Sequence, residues 1–157
     1  MHKRKSSLSH IIYEIPPGTS AGRAITTMLR DIPRRVRTDK IVVLGSQDAK
    51  ISGKPEVIIE KYKKRARRNP LWRSGPLYPK TPERFLKRMI RGMLNYKSTQ
   101  KEVYRKLVVD PRMKEGVIGL KGLNKSQEVE RIDLAQLCKN NLRINRGILI
   151  KDLVEKL

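Results

Sequence analysis

The apolar positions of this chain fall into short blocks whose spacing changes along the sequence. IIYEI (11–15) is a compact apolar run stopped by Pro16-Pro17-Gly18, and it predicts a short strand. Ser20 then stands where a helix N-cap belongs. Ile25, Met28 and Leu29 share one face at helical spacing, and Pro33 closes that segment. KIVVLG (40–45) is continuously apolar, as in strands covered on both faces. Strand, helix, strand in that order predicts a parallel sheet with crossover helices.

Residues 56–68, EVIIEKYKKRARR, carry a helical pattern, and a Pro/Gly-rich loop (69–82) follows. The next helix starts at Pro82, which suits the first helical position, with Thr81 as its cap. KEVYRKLVV (101–109) predicts another short element, helical before the Val pair. The last segment has its own periodicity in Ile132, Leu134, Leu137 and ILIKDLVEKL, which predicts helix. The expected organisation is a flexible basic arm (1–10), one α/β domain (11–123) and a C-terminal helical tail (124–157).

Charge changes this picture. The 157 residues hold 37 Lys+Arg against 15 Asp+Glu, a net charge of +22. The excess is unevenly placed. Residues 1–123 carry 30 cations and ten acids, and the tail carries seven and five. A compact chain with this imbalance repels itself unless an anionic partner screens it. Nucleic acid and an acidic membrane surface are the two candidate screens.

GPLYPKTPERFLKRMIRGMLNYK (75–97) separates them. At about 100° per residue, Phe85, Leu86, Met89, Ile90 and Met93 fall within an arc of roughly 140°. Arg84, Lys87, Arg88 and Arg91 occupy an opposite arc of roughly 100°. One face docks on a core and the other presents cations. A solvated face normally mixes signs, and this one does not. A helix lying on a membrane would expose its apolar side and carry more aromatic residues than Phe85 alone. A one-domain core needs that side. No apolar run approaches the roughly 20 residues of a span.

Phosphate contact therefore fits the basic clusters best. The candidate RNA-binding cations are Arg23, Arg34, Arg35, Arg37, Lys54, Lys61, Lys63, Lys64, Arg65, Arg67, Arg68, Arg73, Lys80, Arg84, Lys87, Arg88, Arg91 and Lys97. Trp72, Tyr78 and Tyr96 lie between basic stretches. They are placed either to stack on unpaired bases or to pack within their loops.

Catalytic signals are weak. LGSQDAKISGKP places seven residues between Gly45 and Gly53, and Pro55 follows Lys54, so the P-loop spacing fails. Ser52-Gly53-Lys54 fits a turn offering backbone N–H groups and a cation to phosphate. His2 and His10 have no cysteine beside them, which argues against zinc. Cys138 lies in an apolar pattern and is expected to be a structural thiol. The residues predict no enzyme, no cofactor, no small-molecule substrate and no membrane partner. The alternative to a structural RNA binder is a nucleic-acid-binding protein of another kind, either DNA-compacting or RNA-modifying.

Several motifs together resemble the large-subunit ribosomal protein L-thirteen family in its archaeal and eukaryotic form. They are Gly75-Pro76, Tyr78-Pro79, Pro82-Glu83-Arg84 and Arg91-Gly92-Met93-Leu94, with Gly22-Arg23, KIVVLGSQDAKISGK (40–54) and KEVYRKLVV in support. Asn95 stands where the family usually has Pro, and residues 111–157 match poorly. The resemblance covers about residues 11–110. It implies a three-layer α/β/α domain around a mainly parallel sheet of about four strands, with basic extensions. It also implies a structural constituent of the large subunit in the cytoplasmic ribosome. Its partners would be large-subunit ribosomal RNA and neighbouring ribosomal proteins, and it would support subunit assembly. In that pattern Arg91 to Leu94 anchor a helix, Gly92 admits a neighbour closely, and Arg23, Lys54 and the 61–68 cluster meet phosphates.

Overall fold

A computed structural model describes residues 10–32, 40–67, 78–94, 98–110, 129–137 and 144–157. Strand β1 (His10–Glu14) leads through helix α1 (Ala21–Asp31) into β2 (Lys40–Leu44). Then follow β3 (Lys50–Ser52), α2 (Pro55–Arg67), α3 (Pro82–Met93), α4 (Ser98–Lys106) and β4 (Leu107–Val109). The C-terminal part contributes β5 (Val129–Asp133), α5 (Leu134–Leu137), β6 (Gly147–Leu149) and α6 (Ile150–Glu155).

The main sheet runs β4-β2-β1-β5, and every pair in it is parallel. β1 is central, which is why IIYEI has no solvent face. Ile11, Ile12 and Tyr13 are all buried, Tyr13 completely. On one face Ile11, Tyr13, Ile15, Ile41 and Val43 meet Ala21, Ala24, Ile25 and Met28 of α1, and Phe85, Leu86 and Ile90 of α3. The α1 set repeats at three- and four-residue intervals, one stripe of a helix. Ile12, Val42 and Leu44 form a separate cluster on the opposite face. The architecture is the expected three-layer α/β arrangement around a parallel four-stranded sheet.

Ser20 and Thr81 stand at the two predicted N-caps in extended conformation, but neither side chain makes a capping hydrogen bond. Pro82 opens α3 as expected. Tyr13 ties the sheet to α1, its hydroxyl donating to Asp31 Oδ2 at 2.9 Å inside the core.

The tail requires a correction. It is predicted as helix, yet residues 129–133 form the fourth strand of the main sheet, with Ile132 opposite Tyr13. The apolar spacing is two between Ile132 and Leu134 and three between Leu134 and Leu137, so it fits a strand passing into a helix as well as one helix. Asp133 makes the switch, its Oδ1 accepting from the Ala135 N–H at 2.9 Å. Leu134, Ile148, Ile150, Leu153 and Val154 join the main core, so the described tail residues belong to the same body.

β6 pairs antiparallel with β3 and brings α6 against the core. Gly147 makes this pairing possible. A Cβ there would lie 2.5 Å from the Ile51 carbonyl oxygen, a backbone atom with no freedom to rotate aside. Gly147→Ala is expected to lower stability by about 1–3 kcal/mol, through a shifted strand or a lost ladder bond. A fall in the urea unfolding midpoint at unchanged slope is the readout, and a midpoint equal to that of the parent chain would refute it.

Candidate nucleic-acid interface

Helices α2 and α3 carry most of the predicted site. On α3 the apolar arc seats Phe85, Leu86 and Ile90 in the core, leaving the cations on the other side. Arg84, Arg88 and Arg91 are spaced i, i+4, i+7 and so share one face. On α2, Ile58, Ile59 and Tyr62 turn inward, while Lys61 and Arg65 lie four apart on the outside. The two rows meet at the Tyr62–Tyr78 ring pair, which carries one guanidinium from each helix. The Arg88 Cζ lies 4.4 Å from the Tyr78 ring centre, and the Tyr78 hydroxyl is within electrostatic reach of Arg65.

An aromatic cluster fixes that junction. Ring centres are 5.2 Å apart for Tyr62 and Phe85, 5.8 Å for Tyr62 and Tyr78, and 6.0 Å for Tyr78 and Phe85, all in tilted or edge-on geometry. Arg65 also stands 5.6 Å from the Tyr62 ring centre. Burial, and then the neighbouring Tyr62, push the Tyr78 hydroxyl above the usual phenol range, with Arg88 and Arg65 acting against that shift. Tyr78 is thus a neutral phenol at physiological pH. Of its two expected roles, packing is the one seen in the free chain, because Arg88 occupies a face of its ring.

Arg23, Lys54, Lys61, Lys63, Lys64, Arg65, Arg67, Lys80, Arg84 and Arg91 are all exposed. Lys64 is paired with Glu60 at 2.7 Å, an i, i+4 contact in solvent that holds the Glu60 carboxyl below its usual range. Such an exposed pair adds little to stability. Lys87 and Arg88 are half-buried rather than free on the arc. The Lys87 ammonium donates to the Leu107 carbonyl at 2.9 Å and lies 5.3 Å from the Tyr104 ring centre, bracing α3 against the α4–β4 corner. Arg34, Arg35, Arg37, Arg68, Trp72, Arg73, Tyr96 and Lys97 lie outside the described residues, as does Cys138.

Two local expectations change. Among the described residues nothing would lie within 4 Å of a Cβ on Gly92, so no close neighbour is packed there within the chain. Arg91, Gly92 and Met93 form an exposed helix end, and the Ile90 before them is what anchors it. At the Ser52-Gly53-Lys54 turn, the Gly53 N–H is directed to the Arg146 carbonyl at 3.4 Å, leaving the Lys54 side chain as the exposed donor. Tyr62 is not among the site residues the sequence predicts. Its signal was position four residues after Ile58 on the apolar stripe of a basic helix.

Residues 18–110 match the family model described as ribosomal protein L13. The chain belongs to the ribosomal protein L13 family. This is a family of structural, non-enzymatic proteins of the large ribosomal subunit. The large ribosomal subunit protein uL13 of Archaeoglobus fulgidus is 35% identical over 107 residues, covering 68% of this chain and 64% of the relative. The uL13 protein of Natronomonas pharaonis is 30% identical over 111 residues, covering 68% and 76%. That of Thermoplasma acidophilum is 42% identical over 67 residues, covering 43% and 48%. The L13 match ends at Asp110, so β5, β6 and α6 lie beyond the matched residues even though they complete the sheet and core. Among the described residues no helix is long and apolar enough to cross a membrane, and no group of side chains is arranged to hold a metal ion.

Proposed function

We propose that this chain binds large-subunit ribosomal RNA through the two basic rows of α2 and α3, and supports assembly of the subunit in the cytoplasmic ribosome. The observation that carries this reading is that two basic rows, Lys61 and Arg65 on α2 and Arg84, Arg88 and Arg91 on α3, come together across the Tyr62–Tyr78 ring pair, with no carboxylate paired to any of these five among the described residues. Cations gathered on one side of a rigid core neutralise phosphates and release the counterions condensed on them. Arg23, Lys54, Lys63, Arg67 and Lys80 are further exposed cations available to phosphates. The near-neutral C-terminal part packs on protein, its own core and that of neighbouring ribosomal proteins.

Competition binding with the full chain tests this. Labelled large-subunit ribosomal RNA is challenged with unlabelled duplex DNA of equal phosphate concentration at physiological ionic strength. The RNA is expected to remain bound, because a folded RNA presents phosphates at spacings that a uniform duplex does not. Equal displacement by the DNA would contradict the proposal and favour a general polyanion binder.

A further inference from the structure

Helices α2 and α3 meet across the same rings but are held very differently. Helix α3 seats Phe85, Leu86 and Ile90 in the core. Of the 13 residues of α2, Ile58 alone is buried, with Ile59 and Tyr62 half-buried against the core. Val57, one residue before Ile58, is 59% exposed. The attachment of α2 thus rests on three large apolar side chains. One of them is the Tyr62 ring, set 5.2 Å from Phe85 and 5.8 Å from Tyr78.

Charge acts against that attachment. Helix α2 carries five cations and two acids, and α3 carries four cations and one acid. At the seam Arg65 lies 5.6 Å from the centre of the Tyr62 ring and Arg88 lies 4.4 Å from that of Tyr78, so like charges stand on neighbouring rings. Of the two acids on α2, Glu60 is taken up by Lys64 of the same helix. Like charges gathered with few acids between them repel, and the repulsion weakens as salt is added. The entry to α2 is a glycine pivot. Gly53 has φ +132°, which side chains rarely permit, and Ile58 Cδ1 lies 3.3 Å from where a Cβ on Gly53 would stand.

We propose that α2 is a charge-sprung arm: it leaves the core of the free chain at low ionic strength and docks when salt or a polyanion screens the two basic rows. The device goes beyond RNA binding, because the free chain and salt alone work it. Isolated helices shorter than about 12–15 residues are marginal in water. Helix α2 therefore unravels as it leaves, and its amide protons exchange with solvent. The sheet, α1 and α3 keep their own core and stay folded. Docking of α2 on an anion is then an ordering step that takes part of the binding energy.

Hydrogen–deuterium exchange of the full chain, read by mass spectrometry on peptides from α2 and α3, tests the arm. Between about 0.01 M and 0.15 M salt the screening length falls from about 30 Å to about 8 Å. The α2 amides are expected to exchange faster than those of α3 at the lower salt. At the higher salt they slow by roughly three- to tenfold, the scale of a few exposed charge contacts. Helix α3 is the internal control. Its net charge equals that of α2, so any effect of salt on the exchange chemistry itself appears in both. Lys61→Gln with Arg84→Gln removes one charge from each row and is expected to slow α2 exchange at the lower salt. Gly53→Ala presses a methyl onto Ile58 and is expected to keep α2 exchange fast at both salts. The glutamine pair sits at exposed positions, so it reports on the arm even if Gly53→Ala fails to fold.

Two results would overturn the arm. One is an α2 as protected as α3 at the lower salt, since that means its three anchors withstand the repulsion. The other is fast α2 exchange that salt and the glutamine pair leave unchanged, since that means loose packing without a charge spring. Large-subunit ribosomal RNA added at the lower salt is expected to protect α2 as salt does. An α2 that closes with salt but not with this RNA upholds the arm and removes α2 from the proposed RNA interface.

Discussion

Phe85→Ala is expected to destabilise the chain by about 3–5 kcal/mol, a large part of the stability of a domain this size. Phe85 is almost wholly buried and belongs to the main core, where it also meets the rings of Tyr62 and Tyr78. Its loss removes the apolar transfer term, leaves a cavity under α3 and breaks two aromatic contacts together. The effect on function follows from the same geometry. Tyr62 and Tyr78 lose the surface that sets their positions, so the basic rows of α2 and α3 no longer meet in a fixed relation. Urea unfolding gives the first quantity. RNA affinity below the unfolding transition gives the second, and it is expected to fall as well. A loss of stability below about 1 kcal/mol would mean that the site collapses around the gap, and that Phe85 is not the pivot of the two helices.

Replacing Lys61, Arg84 and Arg91 together by glutamine is expected to have the opposite signature. All three are exposed, so stability should stay within about 0.5 kcal/mol of the parent chain for each change. RNA affinity should fall steeply. Three phosphate contacts lower the salt slope by about 2 to 3. Measured from 1 M salt, where the counterion contribution vanishes, that is roughly a hundred- to several-hundredfold at 0.1 M. An unchanged slope would remove the rows from the RNA interface and move the search to the outer face of α1.

Much of the fold is legible in the chain because its signals are local. After Lys40, IVVL (41–44) has no polar position to turn outward, and it becomes an interior strand of a parallel sheet. Pro82 after Thr81 marks the start of α3 to the residue. The two arcs of α3 separate as their spacing predicts, with Phe85, Leu86 and Ile90 inside and Arg84 and Arg91 outside. What is not legible is settled by contacts distant in sequence. Strand β5 exists because β1 offers it an unpaired edge, and the short run VERID carries too little alternation to announce that. Lys87 and Arg88 sit on the predicted cationic arc, but a carbonyl at Leu107 and the ring of Tyr78 claim them from the side. A helical wheel assigns a direction to a side chain and is silent about the neighbour it meets there. At Gly92 a family motif suggests a close neighbour, and among the described residues none is packed against it.

The central claim is that this member of the L13 family is a permanent part of the large subunit, held there by RNA. Sedimentation of native cell extract through a density gradient after a high-salt wash tests it most directly, with the chain followed by mass spectrometry. The account predicts that the chain stays with the large subunit in near one-to-one amount, because its contacts close together on a folded RNA. A chain that washes off, or that sediments alone, would contradict the account.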